Sequence, residues 1–175
     1  YAAVKWAAER SKVRDCRIHI ICTYAVASYA AATLDGGYAV LDDAALKEGA
    51  SQIVQQGVDL AREIGATNVH GVVEAGDPAG ILIDMSKEVD LIVVGSRGGG
   101  GFADRLLGTV SSALPAHAKC PVVIVPRHTS GKGFTPVERI VVGSDGSEGA
   151  TSALKRAIDE AELWDARLTA VAAVP

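Results

Sequence analysis

The sequence predicts an α/β fold, an open parallel sheet with helices on both faces. Strand-like and helix-like stretches alternate along the 175 residues, as a sheet built from βαβ connections requires. Leu91 to Val94 is an unbroken, β-branched-rich apolar run, the composition of a central parallel strand buried on both faces. Residues 152–174 echo residues 2–24 at a constant offset of 150 without a gap, so one helix–turn–strand unit occurs twice. Val4-Lys5-Trp6-Ala7 pairs with Leu154-Lys155-Arg156-Ala157, and Asp15-Cys16-Arg17-Ile18 with Asp165-Ala166-Arg167-Leu168.

Taken in order, residues 1–14 read as a helix with Val4, Ala7, Ala8 and Val13 on its inner side. Arg17 to Tyr24 is a strand carrying His19, read as a core or edge residue rather than a ligand. Ala25 to Asp42 is small and weakly patterned, a long loop at that strand's carboxyl end, where ligands often lie. A helix follows, with Leu46, Ala50, Ile53, Gly57, Leu60 and Ile64 on one face and Gly65 as its stop. Val69 to Val73 is a strand. Asp77-Pro78 starts the next helix, with a capping carboxylate and a proline at the first position. The Leu91 strand follows, then a helix from about Thr109 that Pro115 should bend or shorten. Val122 to Val125, bracketed by Pro121 and Pro126, suits an edge strand. That edge is expected to pair between chains or between tandem units. Arg127 to Pro136 is rich in Gly, Ser, Thr and Pro. The chain therefore divides into 1–127, a linker at 128–138, and 139–175 with a strand, a helix (about 148–164) and a strand.

Composition narrows the function. Hydrophobic residues make up 49% of the chain but aromatics only 5%, so Val, Ile, Leu and Ala must fill the core. A net charge of -4 argues against a nucleic-acid footprint. Cys16, Cys22 and Cys120 are odd in number and form no CxxC, so buried reduced thiols are expected. No apolar run approaches membrane-spanning length, which leads to the expectation of a soluble cytoplasmic protein without a membrane partner.

The chemistry concentrates after the Leu91 strand. Gly95, Gly98, Gly108 and Thr109 form G-x2-G-x9-G-T. Glycines at a strand's carboxyl end permit tight turning and close approach of a ligand to N–H groups. The helix that starts at Gly108-Thr109-Val110-Ser111 offers unsatisfied N–H groups and hydroxyls, an anion site. A mobile surface loop is the competing reading of the glycine run taken alone; the strand before it and the helix after it favour the site.

With this pattern and Val141-Val142-Gly143-Ser144-Asp145-Gly146-Ser147, the chain resembles the universal stress protein family, as a fragment of a tandem member. The resemblance implies a five-stranded parallel sheet of order 3-2-1-4-5, with ATP at the carboxyl ends of strands one and four. It implies that Gly95 and Gly98 admit ribose and phosphates and that Gly108, Thr109, Val110 and Ser111 bind phosphate. Arg97 would add a phosphate contact, with a solvated arginine as the alternative. Val26 would flank adenine. The family's adenosine-contacting aspartate corresponds here only to Asp145, in the second unit. Strand one of the first unit is absent, which would leave strands two and four with unpaired inner edges. Either further chain supplies it, or Ile140 to Asp145 inserts and brings Asp145 to Gly95.

The expected function is an ATP-binding stress-response or regulatory module with little or no turnover, its Mg²⁺ carried by the phosphates. Slow ATP hydrolysis or self-phosphorylation involving Asp145 or Thr109 is one alternative, and an interaction module that binds no nucleotide is another. His19, His70, His117 and His128 are too scattered for a metal set or a Ser-His-Asp arrangement. A dinucleotide-dependent dehydrogenase is disfavoured, because Gly98-x-Gly100 follows a late strand and lacks the third glycine. No G-x4-G-K-[S/T] occurs, which excludes a P-loop.

Overall fold

The computed structural model describes residues 1–24, 43–98, 107–127 and 134–172. These form α1 (Ala2–Arg14), β1 (Ile18–Tyr24), α2 (Asp43–Ile64), β2 (Val69–Ala75), α3 (Pro78–Met85), β3 (Ile92–Gly95), α4 (Thr109–His117), β4 (Val122–Val125), β5 (Arg139–Ser144), α5 (Glu148–Trp164) and β6 (Arg167–Ala172). The α/β alternation is as expected. The starts of two helices follow from their capping residues. Asp77 accepts a 2.7 Å hydrogen bond from the Gly80 N–H with Pro78 at the first position, and Ser147 accepts one of 3.1 Å from the Ala150 N–H. α4 runs through Pro115 to His117 rather than stopping before it. Among the described residues, no helix is long and apolar enough to cross a membrane.

Among the described residues all strand pairs are parallel, and they form three two-stranded sheets rather than one. β1 pairs with β2 from Ile18↔Val69 to Tyr24↔Ala75, β3 with β4 from Ile92↔Val122 to Gly95↔Val125, and β5 with β6 from Arg139↔Arg167 to Ser144↔Ala172. The first two pairs match the flanks of the expected 3-2-1-4-5 order. The middle position is not taken by Ile140 to Asp145, because β5 pairs with β6 instead. Only α5 separates those two strands, and closing a short βαβ connection costs less chain entropy than a long-range insertion.

The main core lies where α1 and α2 cover β1 and β2, around Ala8, Val54, Val58, Ala61, Ala66 and Val69. The buried stripe of α2 is Ala50, Val54, Gly57, Val58 and Ala61, offset from the one the spacing suggests; Ile53 is 54% exposed. Two glycines decide which stripe faces inward. A Cβ on Gly71 would sit 2.3 Å from Val54 Cγ1, and one on Gly57 would sit 2.9 Å from Ile20 Cγ2. The helix settles where these gaps let it approach the strands. Gly71→Ala is accordingly expected to lower stability by about 1–3 kcal/mol through overpacking. Urea unfolding checks this, with Gly98→Ala, whose Cβ meets nothing within 4 Å, as the neutral control.

The repeat is visible in the backbone. Asp15 and Asp165 occupy equivalent positions, and each ends its helix in the left-handed region, at φ 45° and 52°. The two helices also touch each other. Arg10 on α1 makes a forked ion pair with Glu160 on α5, Nη2 to Oε1 at 2.6 Å and Nε to Oε2 at 3.2 Å. Arg156 reaches the same carboxylate at 2.8 Å, and the Trp164 indole N–H donates to it at 3.3 Å. Trp6 and Trp164 meet in a tilted arrangement, with centroids 6.2 Å apart and ring planes at 52°. Burial pushes the Glu160 carboxyl up, but Arg10, Arg156 and the Trp164 N–H outweigh it and hold the group below the usual range. Of the expected inner face of α1, Ala8 lies in the core and Val4 packs against it, whereas Val13 departs. Trp6, Ala8, Arg10 and Ser11 are buried, while Val13 is 50% exposed.

Candidate functional site

A cleft of about 1530 Å³ separates β1 from β3, roofed by α1. One end of it is lined by Gly95, Arg97, Gly98, Gly108, Thr109, Val110 and Ser111, so seven of the nine expected site residues come together. They converge because β3 ends at Gly95 and α4 begins beside it, although the two segments are far apart in the chain.

Ser96 holds them in place. Its N–H donates to the Val125 carbonyl at 2.8 Å, fastening the end of β3 to β4. Its own carbonyl accepts from the Gly108 N–H and from the Ser111 hydroxyl, both at 2.8 Å. The strand end and the helix start are thereby clamped. Ser111 is 2% exposed, and its hydroxyl also lies 3.1 Å from the Gly108 carbonyl. Its hydroxyl hydrogen is thus committed to the protein backbone, leaving the Ser111 N–H as what it can present to a ligand. Thr109 is exposed, and Val110 is half-buried.

The helix start is open. Gly108 is the N-cap of α4, and among the described residues no side chain caps it. The first N–H groups of a helix have no intrahelical acceptor and carry the positive end of its dipole. In α4 these belong to Thr109, Val110 and Ser111, at the cleft.

Neither backbone conformation nor crowding within the described residues requires the three glycines. None of Gly95, Gly98 and Gly108 is in the left-handed region, so the turn does not demand glycine. A Cβ would meet its nearest atom at 3.4 Å at Gly95 and 3.6 Å at Gly108, and would meet nothing within 4 Å at Gly98. Of the two reasons offered by the sequence, tight turning is not required by these backbone conformations. Side chains here would fill the cleft next to the open amides.

Asp145 lies elsewhere, at the end of β5 and outside the cleft lining. It accepts a 3.0 Å hydrogen bond from the Ser147 N–H, and bonding from Ser147 holds its carboxyl below the usual range. Val26 lies outside the described residues. Among the described residues, no three His, Cys, Asp or Glu side chains cluster to hold a metal ion.

The comparisons with known proteins are decisive about kinship. The model of the universal stress protein family matches residues 1–126 and again 136–175. The chain belongs to the universal stress protein family. A universal stress protein of Mycobacterium tuberculosis is 33% identical over 182 residues, covering 97% of this chain and 58% of that protein. A second one from the same organism is 31% identical over 184 residues, with 98% and 58% covered. The chain thus spans 58% of the length of these relatives. Among solved structures, a universal stress protein in complex with cAMP is similar at a TM-score of 0.53 and 25% identity, covering 71% of this chain and 84% of that one. The universal stress protein UspA from Lactobacillus plantarum shares the fold, with a TM-score of 0.53, 22% identity, and coverage of 69% and 86%.

Within this universal stress protein, sequence reasoning overlooked Ser96, since serine after a strand carries no signal of its own. It also overlooked Arg10 and Arg156, which line the same cleft. Their placement depends on α1 meeting α5, a contact between segments distant in the chain.

Proposed function

We propose that this universal stress protein binds ATP at the Gly95–Ser111 cradle and acts as a stress-response or regulatory module with little or no turnover. The observation that carries this is the open amino end of α4 beside three glycines that neither backbone conformation nor crowding requires. The related structure holding cAMP supports a nucleotide as the occupant. Phosphates would take the amides of Thr109, Val110 and Ser111. Arg97 would add charge from the rim, and Val26 would flank the adenine. The cleft's carboxylates, Glu88 and Asp90, precede β3 at the end opposite Gly95, so the cradle offers donors and the Mg²⁺ would travel with the phosphates. In this reading the cleft between β1 and β3 takes the middle strand of the 3-2-1-4-5 order. Residues 1–127 and 139–175 belong to two units joined by the linker at 128–138, with Asp145 serving the second unit. The free thiols of Cys22 and Cys120, both pushed up by burial, suit a reducing cytoplasm.

A titration of the protein with ATP tests the central reading; saturable uptake that Gly108→Asp abolishes is the expected result, and no uptake refutes it. The exposed hydroxyl of Thr109 at the cradle favours slow hydrolysis or self-phosphorylation as a second reading. Turnover lost in Thr109→Ala with binding intact would establish it.

Pairing between copies is assigned to the edge from Pro121 to Pro126. β4 pairs only with β3 among the described residues, which leaves its other edge to be covered. Val123→Lys should reduce the mass seen by light scattering, and an unchanged mass would move the contact elsewhere.

A further inference from the structure

The α1–α5 contact has a symmetry that neither helix shows alone. Trp6 meets Trp164 and Arg10 meets Glu160, so four residues forward on α1 correspond to four back on α5, and the helices run antiparallel. The repeat offset of 150 makes Glu160 the counterpart of Arg10 itself. The contact is therefore centred on a position meeting its own repeat equivalent, the signature of a quasi-two-fold joint.

We infer that α1 and α5 form a quasi-two-fold joint between the two repeat units, and that the central Arg10–Glu160 pair admits only unlike units. The inference rests on the two-unit reading and is independent of nucleotide binding. Its logic is electrostatic. Around the same axis, two first units would set Arg10 against Arg10, and two second units would set Glu160 against Glu160. Arg10 is 6% exposed, and the Glu160 side chain 18%. Like charges facing each other at this depth lose both solvation and partner, which acts against those pairings. Arg opposite Glu satisfies both groups in a forked geometry. The flanks add polarity. Trp6 and Trp164 close one side, while Arg156 braces Glu160 from within α5. When units from separate copies meet through these faces, a first unit takes a second one.

The chain's two tryptophans both lie in this joint, so tryptophan emission, excited selectively over the four tyrosines, reports on the joint. The full chain is compared with Arg10→Glu, Glu160→Arg, the double charge swap, and a neutral Arg10→Leu/Glu160→Leu double variant. Each single swap should shift tryptophan emission to the red and lower the urea midpoint. The double swap should return both towards the starting protein. The neutral variant should keep the emission when dilute and, as concentration rises, gain self-association in sedimentation with a red shift, since nothing then forbids like units and their pairing parts Trp6 from Trp164. Emission unmoved by either single swap, or a double swap no better than the two singles combined, would overturn the joint. Rescue by the double swap without added self-association in the neutral variant would leave the joint and the two-unit reading standing and overturn the discrimination.

Discussion

Gly108→Asp is expected to make the protein slightly more stable while removing its nucleotide. Gly108 is the N-cap of α4, with extended backbone at φ -77° and no side-chain cap. Aspartate at an N-cap accepts from the first-turn amides and complements the dipole, and it exceeds glycine there by a few tenths of a kcal/mol. The new Cβ fits, with its nearest neighbour, the Ser96 carbonyl, at 3.6 Å. That same carboxylate occupies the amides proposed for phosphate and would repel it. A like charge at about 4 Å in an effective dielectric of about 20 costs on the order of 4 kcal/mol, a loss of more than about a hundredfold in affinity. Urea unfolding and ATP titration on one preparation check both signs. Retained ATP affinity would mean that α4's amino end is not the phosphate site.

Leu114→Ala is expected to do the reverse. Leu114 is fully buried in α4, the largest such side chain among the described residues. α4 leans on α3 and β4, so truncation leaves a cavity where those elements meet. The loss should be about 2–5 kcal/mol, read as a lower urea midpoint. ATP affinity should stay within a few-fold under conditions where the variant is folded. The cradle is fixed by the Ser96–Gly108 and Ser96–Ser111 hydrogen bonds, and neither involves Leu114. A loss of affinity as large as that of Gly108→Asp would show that packing beneath the helix, rather than the clamp, sets the site.

The division of labour between these two positions reflects what the sequence could and could not reveal. The G-x2-G-x9-G-T spacing picked out residues that line one cleft because its parts are local: a strand end, glycines and a helix start. Asp77-Pro78 located α3 for the same reason. The face of α2 was legible only to within one residue, because several stripes had helical spacing and the choice fell to Gly57 and Gly71, which answer to Ile20 and Val54. Arg10 could not be read as buried, since its burial depends on a carboxylate 150 residues away. Ser111 was recognised as a site residue, but its hydroxyl turned out to serve the Ser96 carbonyl. Parallel pairing was foreseeable from the βαβ alternation. The grouping into three pairs was not, since strand order is decided by long-range contacts that local pattern does not encode.

Mass spectrometry of the nucleotide released when the purified protein is denatured, with Gly108→Asp prepared in parallel, tests the central claim most directly. ATP or ADP released by the unmutated protein and missing from the variant is the predicted result. No nucleotide from either, together with no uptake of added ATP, would contradict the binding cradle and leave an interaction module as the better account.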